Sequence, residues 1–267
     1  MANSVVNIVY MVNGHLVQLD EMLVKQAMAH GESSPEPEPG SSLPPFTIRC
    51  KFYPGHTPNS GDSQELVDDI NNVWDITKNS NDWEQFFTYQ DKVTLLEVLD
   101  ANTSSVTNMK QMFDGCTSLT SIPLLDTSNV TTMSSMFHGC TALTSIPLVD
   151  TSLVTDMFGM FNGCTSLTSI PVFNTKSVTT MRCMLQTCTS LTYVPLFDTS
   201  SVTDVSCICE GCVNVESGAL ALYQALSPRI SSTRMCRMAF SRCGENTTTG
   251  QAELAQIPYV WGGTADV

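Results

Sequence analysis

The chain has 267 residues, enough for one large domain or two modest ones, with 42% apolar and only 14% charged residues. Its formal charge of -14, from 12 basic against 26 acidic residues, argues against nucleic acid and anionic lipid, both of which are gripped by Lys and Arg. Acidity alone favours solubility and names no partner. No segment reaches the roughly 18 apolar residues of a membrane span, so no membrane insertion is expected. Residues 1–20 lack a basic start, and Asn7, Asn13, Gly14 and His15 interrupt their apolar run, so they do not read as a secretion signal.

Residues 1–31 stand apart. Apolar residues over 5–12, the pair Asn13-Gly14 and the run His15-Leu16-Val17-Gln18-Leu19 predict a hairpin on an Asn-Gly turn. Residues 20–30 follow as a short helix, with Glu21 and Lys25 paired four apart and Gly31 as the stop. A hairpin plus one short helix is too small to be stable alone in water. It therefore folds back on the rest or docks on another chain. Docking or self-association is the favoured reading, through Val6, Ile8, Tyr10, Val12, Leu16, Met22 and Leu23. Residues 32–45, rich in Pro, Glu and Ser, read as a solvated and fairly stiff linker. Residues 46–94, with a strand-like stretch over 46–52 and the tryptophans Trp74 and Trp83, read as an N-terminal cap.

The informative feature is an internal repeat. Residues 112–135 read MFDGCTSLTSIPLLDTSNVTTMSS, 136–159 read MFHGCTALTSIPLVDTSLVTDMFG, 160–183 read MFNGCTSLTSIPVFNTKSVTTMRC and 184–207 read MLQTCTSLTYVPLFDTSSVTDVSC. Cys116, Cys140, Cys164, Cys188 and Cys212 form one column, Leu119, Leu143, Leu167 and Leu191 another, and Ile122, Ile146, Ile170 and Val194 a third. The phase extends back to Leu95, so a solenoid of stacked coils is expected over 95–216. In each coil Leu-Thr-Ser-Ile reads as a short strand entered by a bend and closed by proline. The spacing of Val130, Met133, Met136, Phe137 and Cys140 reads as one or two helical turns, giving an α/β solenoid. The Asp-Thr-Ser step at Asp126, Asp150 and Asp198 (Asn174 in one coil) is turn chemistry. Residues 217–267 form a C-terminal cap: a helix over 219–226 stopped before Pro228, then Met238 to Cys243 as one more coil-like turn arriving seven residues late.

Cys207, Cys209 and Cys212 resemble a metal cluster, but Cys212 belongs to the cysteine column and Cys209 stands where Phe113, Phe137 and Phe161 stand, so buried thiols are the better reading. The aspartate column could hold calcium between coils; turn capping explains it with less. The histidines His15, His30, His56 and His138 fit no metal or nucleophile motif, and His138 reads as solvated. Neither metal nor cofactor is expected. Catalysis needs different groups converging on one point, whereas repeats set like residues along a line. What a line makes is a surface: Thr120, Ser121, Thr144, Ser145, Thr168, Ser169, Thr192 and Tyr193, a polar ladder that either engages a glycan or peptide, with Tyr193 as stacking platform, or is a soluble face with good β propensity.

The unit Met-Phe-x-Gly-Cys-Thr-Ser-Leu-Thr-Ser-Ile-Pro-Leu-x-Asp-Thr-Ser-x-Val-Thr-x-Met resembles the BspA-type leucine-rich repeat of bacterial surface proteins. That resemblance implies adhesion and no enzymatic activity. Together with Val-Glu-Ser-Gly-Ala-Leu-Ala-Leu-Tyr and Ala-Glu-Leu-Ala-Gln-Ile-Pro, the repeats also resemble proteins encoded by bacteriophages and prophages of gut Bacteroidales. The likeness implies a virion surface protein, a head fibre or tail-associated adhesin made in the host cytoplasm. Residues 1–31 would join other virion proteins, and the repeats would meet host-surface glycan or protein. Fibres of this kind are homo-oligomers, often trimers, although no heptad pattern marks one here. A bacterial cell-surface adhesin is the alternative, and a glycan-active enzyme ranks last.

Overall fold

The computed structural model describes residues 9–12, 15–18, 43–59, 62–230 and 232–265, and the chain divides between Gly40 and Ser41 into two units. In the first, β1 (Val9–Val12) pairs antiparallel with β2 (His15–Gln18), Val12 opposite His15, with Asn13 and Gly14 between them in sequence. The helix expected over 20–30 lies outside the described residues.

The second unit opens with an antiparallel sheet of β3 (Thr47–Phe52), β4 (Ser63–Asp68), β5 (Val73–Thr77) and β6 (Leu95–Ala101), in the order β4-β5-β3-β6, which does not close on itself. Strand β3 (Thr47–Phe52) alternates, so Ile48, Cys50 and Phe52 turn into the core while Arg49 and Lys51 turn out. Its neighbours β5 (Val73–Thr77) and β6 (Leu95–Ala101) bury Ile76, Leu95 and Val98 on the same side. Strand β4 (Ser63–Asp68) buries no side chain, and its polar start carries no strand signal. The short helix α1 (Tyr89–Thr94) leads into β6 and carries the buried Asp91, which accepts from the Thr88 hydroxyl at 2.8 Å and faces His56 Nε2 at 3.0 Å. Trp83 is fully buried beside Phe86.

From residue 102 to 218 the chain contains neither a named strand nor a helix. The helical turns expected over Val130 to Cys140 are absent, and the hydrogen bonds show why. Met136, His138 and Cys140 donate three residues back, to Met133, Ser135 and Phe137, as tandem turns do. Between these, Ser135 and Gly139 take φ of 54° and 70°, which a helix forbids. The positive φ turns alternate peptides outward. Met133, Ser135, Phe137 and Gly139 therefore donate to Asp156, Phe158, Met160 and Asn162 of the next repeat at 2.7–3.1 Å. Tandem turns share the three-and-four spacing of a helix, which is why the apolar pattern misleads. The regular parallel bridges also fall away from Leu-Thr-Ser-Ile, at Asn108, Thr132, Asp156, Thr180 and Asp204. Side chains of this column cap the amide two residues on, as Asp156 Oδ1 does for Phe158 at 2.8 Å. Backbone donors along this stretch are thereby assigned, one to the neighbouring repeat, the next to a cap or a turn.

Side chains line up behind this backbone register. Phe87, Phe113, Phe137 and Phe161 stack with centroids 5.4–5.8 Å apart, Phe137 and Phe161 within 3° of parallel. The Leu and Cys columns are fully buried. Thr127, Thr151 and Thr175, also buried, donate Oγ1 to the carbonyls of Asp150, Asn174 and Asp198 in the next repeat at 2.6–2.8 Å. One continuous apolar cluster runs from Ile48 to Trp261. Helix α2 (Ala219–Leu226) interrupts the repeats and ends before Pro228. Beyond it the turn around Phe240 and Cys243 resumes them. Cys209 N donates to Ala239 O at 2.8 Å, where one repeat earlier Leu185 N donates to Ile208 O. Helix α3 (Thr248–Leu254) and a 3-10 turn (Tyr259–Trp261) finish the unit, with Phe240 stacked on Trp261.

Two stability outcomes follow. Phe137→Ala leaves a void with aromatic neighbours on both sides, and urea unfolding should show a loss of about 3–5 kcal/mol. Thr187 holds φ 57° where the other repeats place Gly115, Gly139, Gly163 and Gly211. Thr187→Gly removes a Cβ from a left-handed position, and the same measurement should show a gain of roughly 0.5–1 kcal/mol.

Candidate functional site

The outward surface of the repeats follows from how each chain segment leaves the tandem turns. Leu143 N donates to Cys140 O at 3.2 Å, a bend that buries Leu143; Thr144 and Ser145 then point out before Ile146 turns in. All eight ladder residues, Thr120, Ser121, Thr144, Ser145, Thr168, Ser169, Thr192 and Tyr193, are exposed. Part of the ladder serves the fold. Thr120 Oγ1 donates to Leu96 O at 3.1 Å and Thr168 Oγ1 to Thr144 O at 3.3 Å, while Ser121 and Tyr193 take part in bridges to Glu97 and Ser217. A second threonine ladder does the same elsewhere: Thr131, Thr155, Thr179 and Thr203 each donate Oγ1 to the residue one repeat back.

Beside the first ladder lies a column that sequence reasoning missed. Leu124, Leu148, Val172 and Leu196 are 66%, 61%, 61% and 41% exposed. Each follows the repeat proline, and the next residue (Leu125, Val149, Phe173 or Phe197) is buried. In extended chain two consecutive side chains point to opposite faces, so an apolar pair after Pro has one member outside. That was the available signal. Successive repeats lie roughly 4.8 Å apart, so the column spans roughly 14 Å. Leu148, Val149, Asp150, Thr151, Val172 and Asn174 line a shallow open depression along it.

The far edge of the apolar column is acidic. Asp126, Asp150 and Asp198 are exposed, and each Oδ1 accepts from the amide two residues on, at 2.8–3.1 Å. Hydrogen bonds from the Ser200 hydroxyl and amide hold the Asp198 carboxyl below its usual range. Asn174 keeps the same turn toward Lys176 at 3.3 Å. The turn-capping role of this column is therefore seen in every repeat.

Among the described residues, no group of three or more His, Cys, Asp or Glu is close enough to hold a metal ion. All eleven cysteines are thiols. Cys140, Cys164, Cys188 and Cys212 donate Sγ to a carbonyl of the preceding repeat at 2.9–3.1 Å. Burial pushes the Cys164 thiol up to about 12 and raises Cys140, Cys188 and Cys212 strongly. Cys207 and Cys212 turn to different carbonyls, Cys207 Sγ donating to Arg237 O at 3.7 Å and Cys212 Sγ to Leu185 O at 2.9 Å. His138, exposed, sits 2.7 Å from Asp114. Of the expected docking residues, Tyr10 and Val12 lie in β1 and Leu16 in β2, whereas Val6, Ile8, Met22 and Leu23 lie outside the described residues. Among the described residues no helix is long and apolar enough to cross a membrane.

No curated protein and no solved structure matches the chain. A family model described as "Mycoplasma protein of unknown function, DUF285" matches residues 61–146 and 120–221, taking in β5, α1, β6 and all the 24-residue repeats. Those matches span more than half of the chain, and the protein belongs to the DUF285 family, a membership compatible with a BspA-like repeat protein.

Proposed function

We propose that this protein is a non-enzymatic binding protein in which BspA-type repeats stack as a short solenoid and present one extended face to a polypeptide on a host cell surface. The observation that carries this reading is the column of Leu124, Leu148, Val172 and Leu196, aliphatic side chains left in water at one position of four successive repeats. Solvent-facing aliphatics scattered singly carry no meaning, but an aligned patch edged by polar residues marks an interaction surface. Its edges are hydroxyls on one side and carboxylates on the other, suiting an extended segment with apolar and basic side chains. A second reading, a glycan ligand, rests on Tyr193, 52% exposed at the last rung of the hydroxyl ladder and able to stack on a sugar ring.

The setting we favour is a virion, with the protein as head fibre or tail-associated adhesin joined to other virion proteins through residues 1–31. Two features support it: the division of the chain between Gly40 and Ser41, and the likeness of the segments after the repeats to phage-encoded proteins. A bacterial cell-surface adhesin shares the same binding face, and the two settings part at the N-terminus.

Replacing Leu148 and Val172 with Asp leaves both side chains in water and should not unfold the protein. Binding to intact host cells, followed with labelled protein, should fall at least about tenfold, roughly 1.4 kcal/mol. Undiminished binding after that change, lost on periodate treatment of the cells or on Tyr193→Ala, favours the glycan reading. Deleting residues 1–31 should leave urea unfolding of the repeats unchanged while the protein disappears from purified particles. Retention in particles would end the virion assignment.

A further inference from the structure

Of the cysteines outside the buried column, two are stacked on each other by the repeat. Cys183 and Cys207 occupy the same position of consecutive repeats, where earlier repeats place Gln111, Ser135 and Gly159. Both backbones are left-handed there, with φ of 55° and 58°, so the two Cβ atoms leave in the same direction. Hydrogen bonds pin the register on either side: Met181 N to Asp204 O, Cys183 N to Ser206 O and Leu185 N to Ile208 O, each 2.9 Å. Backbones paired this way run roughly 4.8 Å apart, inside the Cα–Cα range of about 4.4–6.8 Å that a disulfide accepts. Besides burial, Glu210 and Cys183 both raise the Cys207 thiol, whose Sγ donates to Arg237 O at 3.7 Å, a long contact that closure would replace.

Access separates Cys207 from the other thiols, Cys183 included, all of which are buried. Cys209 and Cys243 are 0% and 1% exposed, so no external disulfide can reach them. Thiols of the column are enclosed and turned to carbonyl oxygens. Cys207 is half-buried.

We infer that Cys183 and Cys207 form a reversible redox staple between two consecutive repeats, closed by a low-molecular-weight disulfide such as oxidised glutathione. The Cys207 thiol loses its proton to solvent and its sulfur attacks one sulfur of the oxidant, breaking that S–S bond. One glutathione leaves as a thiolate, is protonated, and a mixed disulfide remains on Cys207. Cys183 sulfur, after loss of its own proton, attacks the Cys207 sulfur and displaces the second glutathione. Two protein thiols are oxidised by two electrons and one glutathione disulfide is reduced to two glutathione thiols. Burial, aided by Glu210, pushes the Cys207 thiol up to about 12, so the first step is slow near neutrality and quickens with pH. A high thiol pKa also makes a poor leaving group, which protects the closed form from reduction. Closure joins the repeats next to α2, where the 24-residue spacing breaks.

The full chain, reduced and freed of small thiols, should be incubated with oxidised glutathione and mapped under non-reducing conditions. The expected result is loss of two hydrogen atoms in mass and one cross-linked peptide pair holding Cys183 and Cys207. Closed molecules should outnumber open ones by at least about tenfold, and closure should speed up about tenfold per pH unit from pH 7 to 9. The urea midpoint should rise on closure and fall again with dithiothreitol. In Cys183→Ser the glutathione adduct should persist on Cys207, and Cys207→Ser should leave Cys183 unmodified; both substitutions keep near-equal volume. A persistent glutathione adduct in the unsubstituted chain, or a cross-link between other cysteines, overturns the inference.

Discussion

A stretch of more than a hundred residues without a strand or helix must still find partners for its buried peptide groups. Here each repeat hands alternate amide hydrogens to the next one, and two left-handed residues four apart in each repeat are what aim them there. Gly115, Gly139, Gly163 and Gly211 supply that conformation at no steric cost, whereas Ser135, Cys183, Thr187 and Cys207 adopt it against their own preference. Everything else rides on this transfer. The phenylalanines stack because backbones in register put identical positions one above another, and the buried threonines reach the next carbonyl for the same reason.

Once the register is fixed, inside and outside are decided column by column. The interior takes Leu, Met, Phe and Cys, and cysteine suits it as a small apolar residue whose thiol can donate to a nearby carbonyl. The exterior takes Thr and Ser, whose hydroxyls often serve the backbone of a neighbouring repeat. An apolar residue left outside in one repeat is therefore left outside in all of them, so surface properties come as stripes.

Much of this was legible in the residue spacing. The period, the buried identity of the Cys, Leu and Ile columns, the turn-capping aspartates, the helix before Pro228 and the delayed turn at Phe240 all follow from residue spacing, because burial is a one-dimensional property repeated every 24 positions. Local conformation was not. Met133, Met136, Phe137 and Cys140 have the spacing of a helix, but the pattern of apolar residues is blind to the sign of φ, and only the glycine column hinted at it. Strand β4 escaped because Ser63, Gln64 and Glu65 are polar and held by an edge pairing. At the candidate site the hydroxyl ladder could be read directly. Leu124, Leu148, Val172 and Leu196 could not, because composition alone does not say which member of each apolar pair after proline faces water.

Because every repeat receives from the one before and gives to the one after, with Phe240 N closing the series on Trp261 O, no single unit is special except by position. Insertion or loss of a whole 24-residue unit would therefore preserve every contact type while changing the reach of the outer face by roughly 4.8 Å. A lineage carrying this chain can adjust the length of what it grips in fixed increments, by unequal recombination alone, without redesigning either cap.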